Sequence, residues 1–299
     1  FTNTVPVDAY RGAGRPEATY QLERVIDKAA RELGVDPVAL RRQNFITEFP
    51  YATPVAVEYD TGNYVATMDK LEEIADISGF EARRKASEAK GKLRGLGVNC
   101  YIEACGIAPS NLVGQLGARA GLYDAATVRV NATGSISVMV GAHSHGQGHE
   151  TAFPQVVAEM LGIDENMIDI VHGDSSKIPF GMGTYGSRSI AVCGSAMVRA
   201  TEKIINKAKK IASHLLEASE TDIELKDGQF TVAGTDKSCA WGDVTLAAYV
   251  PHNYPLESIE PGLACASPCT CPAVGLACAW CDLAQMLVQE LQQAQRQTR

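Results

Sequence analysis

The chain has 299 residues, a formal net charge of −8 and 45% hydrophobic residues, which is typical of a globular protein with one large domain or two medium ones. The acidic balance argues against a general surface for nucleic acid or anionic membranes, so any bound anion must be held by a local site. No apolar run approaches the roughly 20 residues of a membrane span. Because Phe1 is not preceded by a methionine and no secretory signal follows it, we expect a cytoplasmic segment of a longer protein.

Helical signals dominate the first 90 residues. Pro16 suits the first turn of a helix, apolar residues then recur at helical spacing, and Gly34 ends the pattern. Asp36 and Pro37 form a second cap and first turn. The predicted helices run from Pro16 to Gly34, from Pro37 towards Asn44, over 64–77 and over 80–90.

Strands and helices alternate less regularly after the polar run at 81–94. This run suits either a linker or a solvated helix face, and we interpret it as the boundary between two lobes. Valines and isoleucines alternate on both sides of a turn at 131–134, which indicates a β-hairpin. Blocks of hairpins and helices without a βαβ repeat favour an α+β fold. The predicted elements are a strand at 95–102, a hairpin at 128–140, a helix at 151–161, a strand at 167–171, a helix at 195–218 and a hairpin at 223–232.

Three glycine-rich loops, at 10–15, 141–150 and 180–189, lie at or near the starts of predicted helices. Glycine lets the backbone approach a ligand closely, and a helix N-terminus adds partial positive charge. Arginines and hydroxyl side chains in these loops suit phosphate oxygens. One such loop is more often plain structure, but three together indicate a large anionic ligand. No Walker A or Rossmann motif is present.

The second loop also contains three histidines, His143, His145 and His149, followed by Glu150. Their spacing fits neither a zincin nor a zinc finger. A metal-dependent hydrolase that uses this cluster, and therefore contains zinc, remains an alternative. No Gly-x-Ser-x-Gly motif supports a serine nucleophile.

The motifs AYRGAGRPEA, GQGHETAFPQVVAEMLGI and GMGTYGSRS together resemble the molybdenum-cofactor-binding large subunits of the xanthine oxidase family, over about residues 1–262. The resemblance is closest to the large chains of aerobic carbon monoxide dehydrogenases. It implies a molybdenum hydroxylase that oxidises a small molecule and binds molybdopterin cytosine dinucleotide. It also implies an FAD-binding medium subunit and an iron–sulfur small subunit, assembled as a dimer of heterotrimers.

The resemblance also implies which residues contact the cofactor. The first loop contributes a turn beside the molybdenum, and the other two loops contribute the family's two cofactor-contacting motifs. The implied residues are Arg11, Gly12, Gly146, Gln147, Gly148, His149, Thr184, Tyr185, Gly186, Ser187, Arg188 and Ser189.

The first loop departs from the pattern of true carbon monoxide oxidisers, which resembles Ala-Tyr-x-Cys-Ser-Phe-Arg. This chain has Gly12, Ala13 and Gly14 at the Cys, Ser and Phe positions. A thiolate is the soft ligand that Cu(I) requires, and glycine offers none. We therefore expect a "form II" relative without copper. Its substrate is not determined by the sequence: carbon monoxide is disfavoured, and aldehydes and N-heterocycles are both compatible.

The resemblance implies two incomplete molybdopterin-binding lobes: the C-terminal part of one at 1–80 and the N-terminal part of the other at 95–262, joined by the linker at 81–94. The family's general-base glutamate has no counterpart here, because Glu260 and Glu290 lack its glycine-rich context. We predict no catalytic or metal-ligating residue in this chain, which should be inactive alone. A non-catalytic remnant of a disrupted gene is a further alternative.

The composition changes abruptly over 263–299, where cysteines and glutamines accumulate. Cys278 and Cys281 form one Cys-x-x-Cys pair, but no second pair completes a zinc site. We interpret this segment as aberrant and frameshifted. It is expected to be disordered or loosely helical over 264–299.

Overall fold

The structure is a computed structural model that describes residues 14–54, 58–102, 122–178 and 180–269, together with six isolated positions. These six are Asn3, Tyr10, Gly12, Gly106, Gly114 and Gly117. The described residues fall into two compact units, one within Phe1–Ala104 and one within Cys105–Ala273. Helices and sheets are both present, so the predicted α+β class is confirmed. Within the described ranges, no helix is long and apolar enough to cross a membrane.

The first unit is mainly helical. Pro16 lies in the first turn of its longest helix, and Gly34 ends that helix with a φ of 67°. Asp36 caps the next helix, because its carboxylate accepts hydrogen bonds from the amides of Val38 and Ala39 at 2.9 and 2.8 Å. The elements are α1 (Arg15–Leu33), α2 (Pro37–Gln43), β1 (Tyr51–Ala52), β2 (Glu58–Tyr59), α3 (Tyr64–Ala75) and α4 (Phe80–Glu88).

The second unit is built on a four-stranded sheet with the strand order β5-β4-β3-β9. All its neighbours are antiparallel except β4 and β5, which are parallel. Helix α6 packs on β3 and β9, and α5 packs on β5. These elements are β3 (Asp124–Val130), β4 (Ile136–Val140), α5 (His149–Leu161), β5 (Ile168–Val171), α6 (Ser195–Leu216) and β9 (Ala264–Cys269).

A smaller antiparallel sheet completes this unit, with β7 between β6 and β8. Trp241 begins the helix that follows, and its indole Nε1 donates to the carbonyl of Gly134 in the β3–β4 turn at 3.0 Å. This contact fixes the small sheet against the large one. The elements are β6 (Ile223–Lys226), β7 (Gln229–Val232), β8 (Ser238–Ala240) and α7 (Trp241–Tyr249).

Two expectations of secondary structure are wrong. Residues 95–102 form no strand and are mostly exposed. Residues 264–269, expected to be disordered or helical, form β9 and pair with β3, with Ala264 opposite Arg129 and Cys269 opposite Asp124. The rest of the predicted tail, 270–299, lies outside the described residues, so the proposed frameshift stays a prediction.

Candidate functional site

Two of the three glycine-rich loops lie side by side in the second unit. Residues 141–150, the histidine loop, follow β4 and open α5. Residues 180–189, the serine loop, lead into a π-helical turn at Ser189–Gly194 and then into α6. π-helical turns are rare and occur frequently at functional sites. The first glycine-rich loop belongs to the other unit.

Thr184 is the hydrogen-bonded connection between these two loops. Its hydroxyl donates to the carbonyl of His143 at 2.6 Å and accepts from the amide of His143 at 3.1 Å. The hydroxyl of Ser189 lies 3.0 Å from the hydroxyl oxygen of Thr184. One side chain of the serine loop therefore fixes the backbone of the histidine loop.

Gly141 and Gly181 bring the loops into direct backbone contact. A Cβ on Gly181 would lie 2.5 Å from the carbonyl oxygen of Gly141 and 2.8 Å from its carbonyl carbon. A Cβ on Gly141 would overlap the Cα of Gly181 and Oδ1 of Asp124. Any side chain at either position would push the loops apart.

Gln147 organises the interior of the histidine loop. Its Oε1 accepts a hydrogen bond from the amide of His145, and its Nε2 lies 3.0 Å from Nε2 of His149. Gly146 and Gly148 flank it with φ values of 86° and 85°, and a Cβ on either would meet no atom within 4 Å. Both glycines thus combine a left-handed backbone with an open side.

His149 is buried at the start of α5, with 5% of its surface exposed and its ring stacked on Phe153 at 4.5 Å. Burial lowers the pKa of His149. The charge of Glu150 opposes this shift, whereas His172, His145 and His143 lower the pKa further. Because the amide nitrogen of Gln147 can only donate, Nε2 of His149 accepts and Nδ1 carries the proton. Within the described residues Nδ1 is buried without a hydrogen-bond partner.

Glu150 occupies the first turn of α5, where Gly148 supplies no side-chain cap. Its carboxylate accepts from the hydroxyl of Ser144 at 3.1 Å and lies 3.0 Å from Nε2 of His172. The pKa of Glu150 is lowered, first by its own backbone N–H and then by His172 and Ser144. A negative charge is stabilised at this helix end.

His172 was missed by the sequence reasoning, although its position carried a signal. It directly follows β5, which is parallel to β4, so the histidine loop and His172 leave the sheet at the same edge. Its ring lies edge-on to that of His143 at 5.1 Å. Side chains that follow neighbouring parallel strands meet at one edge.

The histidines do not form the metal centre that the hydrolase alternative needs. His143 and His145 lie 5.2 Å apart between ring centroids, whereas His149 is buried against Phe153. Across the described part of the chain, no group of three or more His, Cys, Asp or Glu side chains is placed to hold a metal ion. The alternative therefore lacks a ligand set there.

Arg188 has different partners from those expected of a residue that balances ligand charge. Its side chain and that of Asp124 are both 0% exposed, and Nη1 lies 3.2 Å from Oδ2 of Asp124. The guanidinium also donates to the carbonyls of Gly183, Leu122 and Tyr123 at 3.1 to 3.3 Å. The charge of Arg188 is balanced by this buried pair, whereas its Nε is buried without a hydrogen-bond partner among the described residues. A contact between Arg188 and the cofactor stays a prediction.

Among the other predicted residues of the serine loop, Tyr185 and Ser187 are exposed, Thr184 and Gly186 are half-buried, and Ser189 is buried. Tyr185 is 39% exposed, and its ring centroid lies 5.2 Å from Cζ of Arg188. Ser187 is exposed and takes a positive φ of 51°. The carbonyl of Gly186 accepts a hydrogen bond from the amide of Gly106 at 3.3 Å. Hydroxyls and backbone therefore form the outer surface of this loop.

In the first unit, Gly12 takes a φ of 92°, and its carbonyl accepts from the amide of Arg15 at 2.8 Å. The turn thus leads directly into α1. Arg11 and Ala13 lie outside the described residues.

Comparison with known proteins identifies the family. A model of the molybdopterin cofactor-binding domain matches residues 70–268, and a second of the same description matches residues 1–45. The carbon monoxide dehydrogenase large chain of Hydrogenophaga pseudoflava is 38% identical over 271 residues, 88% of this chain and 33% of that protein. The chain belongs to the molybdopterin-binding large subunits of the xanthine oxidase family. Members of this family are molybdenum oxidoreductases.

Other family members differ in what their names say they oxidise. The nicotine 6-hydroxylase large subunit of Paenarthrobacter nicotinovorans is 36% identical over 88% of this chain and 32% of its own length. A crystal structure of quinoline 2-oxidoreductase from Pseudomonas putida 86 is 33% identical, covering 89% of this chain and 34% of that one, with a TM-score of 0.75. A crystal structure of Cu,Mo-CO dehydrogenase has a TM-score of 0.74 and is 36% identical, covering 89% of this chain and 34% of that one. The chain thus spans about a third of these relatives.

The family match also bears on where the resemblance ends. It runs to residue 268 rather than 262, so the family domain includes nearly all of β9. The correction agrees with the pairing of β9 and β3 in the sheet.

Proposed function

We propose that this chain forms part of the large subunit of a molybdenum hydroxylase, in which the histidine and serine loops hold molybdopterin cytosine dinucleotide. The observation that carries the proposal is the joining of the two loops through Thr184 and through the Gly141–Gly181 contact. Two unrelated surface loops would not need so close an approach of their backbones.

The residues present fit an anionic, multi-group ligand. Gly148 caps α5 without a side chain, so the positive end of the helix remains open to an anionic ligand. Gly146 and Gly148 leave space beside the backbone, and the buried Nδ1 of His149 is a donor without a partner among the described residues. Gln147 adds an amide, and the serine loop adds hydroxyl groups.

The chain's own contribution is to bind and orient the cofactor, which supplies the redox chemistry when bound. Gln147 positions the histidine loop through His145 and His149, and Thr184 holds it against the serine loop. Arg11 and Gly12 are proposed as further contacts of the cofactor. The remaining proposed contacts are Gly146, Gly148, Tyr185, Gly186, Ser187 and Ser189.

We further propose that the site contains no copper and that the substrate is an aldehyde or an N-heterocycle. Gly12 stands where carbon monoxide oxidisers are expected to present a thiolate, and no side chain there can ligate Cu(I). The relatives named for nicotine and quinoline support the N-heterocycle class.

The proposed partners are an FAD-binding medium subunit and an iron–sulfur small subunit, in a dimer of heterotrimers. Support comes from the relatives, which are named as a large chain, a large subunit and a complex subunit. A cytoplasmic location is proposed as well, since Cys100, Cys193, Cys239 and Cys265 are free thiols.

The test is a cofactor analysis of the intact protein that contains this chain, purified with its partner subunits. We expect about one molybdenum and one cytosine nucleotide per large subunit after denaturation, with copper at background, as a dinucleotide cofactor requires. Molybdenum with copper at equal stoichiometry would contradict the copper-free site. Absence of both molybdenum and nucleotide would favour a non-catalytic remnant.

Gly148→Ala and Gly234→Ala form a matched pair for the loop assignment. Both glycines have positive φ values, 85° and 75°, and open space at the Cβ position, so the backbone strain is similar. Only Gly148 lies in a proposed cofactor loop. We expect Gly148→Ala to lower the molybdenum content and Gly234→Ala to leave it unchanged; equal contents would refute the assignment.

A further inference from the structure

We propose that Asp124 is a positioning residue for the cofactor, acting through Arg188 to hold the two cofactor loops in register. This inference rests on the proposed function of the loops. It goes beyond the predicted contacts, because Asp124 lies in neither loop and is not among the residues expected to contact the cofactor.

Asp124 lies at the point where the histidine loop, the serine loop and β3 meet. It is the first residue of β3, and its Oδ1 accepts from the amide of Ala125 at 2.9 Å. Its Oδ2 pairs with Arg188 of the serine loop at 3.2 Å. Gly141 of the histidine loop packs so closely on the carboxylate that a Cβ would overlap Oδ1.

Arg188 transmits this position to the serine loop. Besides Asp124, its guanidinium bonds the carbonyl of Gly183 within the loop and the carbonyls of Leu122 and Tyr123 just before β3. The planar donor array of arginine suits several acceptors at once, which lysine does not match. The loop is therefore fixed at Gly183 and at Arg188, on either side of Thr184 and Tyr185.

The burial of both charges makes each partner of the Asp124–Arg188 pair necessary for the stability of the other. Burial raises the pKa of Asp124, while the amide of Ala125 and the charge of Arg188 oppose that shift. An ion pair without solvent contact is strongly destabilising when only one partner is removed, because the other charge stays buried and unpaired. Removal of both charges is often tolerated. A comparison of single and double variants therefore distinguishes an effect on the position of the loops from a general loss of stability.

The experiment compares Asp124→Asn, Asp124→Asn/Arg188→Met and Phe230→Leu in the complete protein with its partner subunits. Phe230 is fully buried in the small sheet formed by β6, β7 and β8, so its variant lowers stability away from the loops. Three quantities are measured: the melting temperature, the molybdenum and nucleotide content, and amide exchange in 141–150 and 180–189.

We expect Asp124→Asn to lower the melting temperature and to reduce cofactor content by about tenfold, because the charge of Arg188 is left unpaired. The double variant should regain most of the melting temperature without regaining cofactor, and its loops should still exchange rapidly. Phe230→Leu should lose stability and keep its cofactor. Arg188→Lys, which retains a cation, provides a milder variant if Asp124→Asn does not fold, with an expected loss of about threefold.

The proposal is overturned if Asp124→Asn retains its cofactor, or if cofactor content simply follows the melting temperature through all variants. A wild-type protein without molybdenum would refute the proposed function instead. In that case amide exchange still decides the role of Asp124: unchanged protection of both loops in Asp124→Asn would overturn it.

Discussion

Replacement of Gly181 by alanine should separate the two cofactor loops without straining the backbone, because Gly181 does not have a positive φ. The added Cβ would lie 2.5 Å from the carbonyl oxygen of Gly141 and 2.8 Å from its carbonyl carbon. Ordinary contact between carbon atoms requires about 3.5 to 4.0 Å, so the loops must move apart by roughly 1 Å.

That displacement breaks the Thr184 connection. The distance from its hydroxyl to the amide of His143 is 3.1 Å, and a further ångström exceeds the hydrogen-bonding range. Overpacking of this kind costs about 1–3 kcal/mol, to which each lost hydrogen bond adds about 1 kcal/mol. We expect the free energy of unfolding to fall accordingly, and the molybdenum content to fall with it.

Gly242→Ala is the matched control. Gly242 also lacks a positive φ, and a Cβ there would meet no atom within 4 Å. It lies in α7, where alanine is favoured over glycine by about 0.5–1 kcal/mol. Denaturant unfolding and metal analysis of both variants test the reasoning, which fails if Gly181→Ala matches Gly242→Ala in stability and in molybdenum.

Three further predictions concern the framework and its pH dependence. Trp241→Phe removes the indole donor of the Gly134 carbonyl and should lower the free energy of unfolding by about 1–3 kcal/mol in urea titrations; an unchanged free energy of unfolding would contradict the contribution of this bond. Asp36→Ala removes the cap of α2 and should cost about 1 kcal/mol; Asp36→Ser should recover most of it. The lowered pKa of His149 means that the unfolded chain binds its proton first, so stability should decline as the pH falls below the ordinary value of 6.5; His149→Gln should flatten that slope between pH 5 and 7, and an unchanged slope would contradict the assignment.

Local sequence signals predicted most of the helices and hairpins, because each had its own start and stop. Asp36 and Pro37 begin α2, Gly34 and Gly162 end α1 and α5, and the residues at 227–228 turn the second hairpin. Such signals act within a few residues, so no knowledge of the rest of the fold was needed.

Strand pairing was harder to predict, since it depends on a partner distant in sequence. Residues 95–102 have strand-like composition but form no strand, whereas the cysteine-rich Ala264–Cys269 pairs with β3. In the second case the unusual composition suggested a loss of structure. The register against β3 shows that small side chains beside a central strand suffice for an edge position.

The candidate site shows the same limit. Glycines, hydroxyls and helix starts located both loops, and the family resemblance added Arg188 to the implied cofactor contacts, but neither signal indicated its buried partner. Its actual partner, Asp124, is 64 residues away and is recognised only when the burial of both side chains is known. A fully buried arginine is exceptional unless it is paired, so the burial of Arg188 indicates such a partner.

The burial of the Asp124–Arg188 pair determines which groups of the two loops can contact a ligand. The charges of Asp124 and Arg188 are buried, while the outside of the loops presents glycine backbone, hydroxyls, the amide of Gln147 and the carboxylate of Glu150. An anionic cofactor would then be held by many neutral donors and by the end of α5 rather than by one exposed cation. Such binding should depend only weakly on ionic strength, because buried charges and short hydrogen bonds are poorly screened. Cofactor release that rises steeply with salt, measured as molybdenum lost during dialysis, would instead indicate exposed ion pairs at the site.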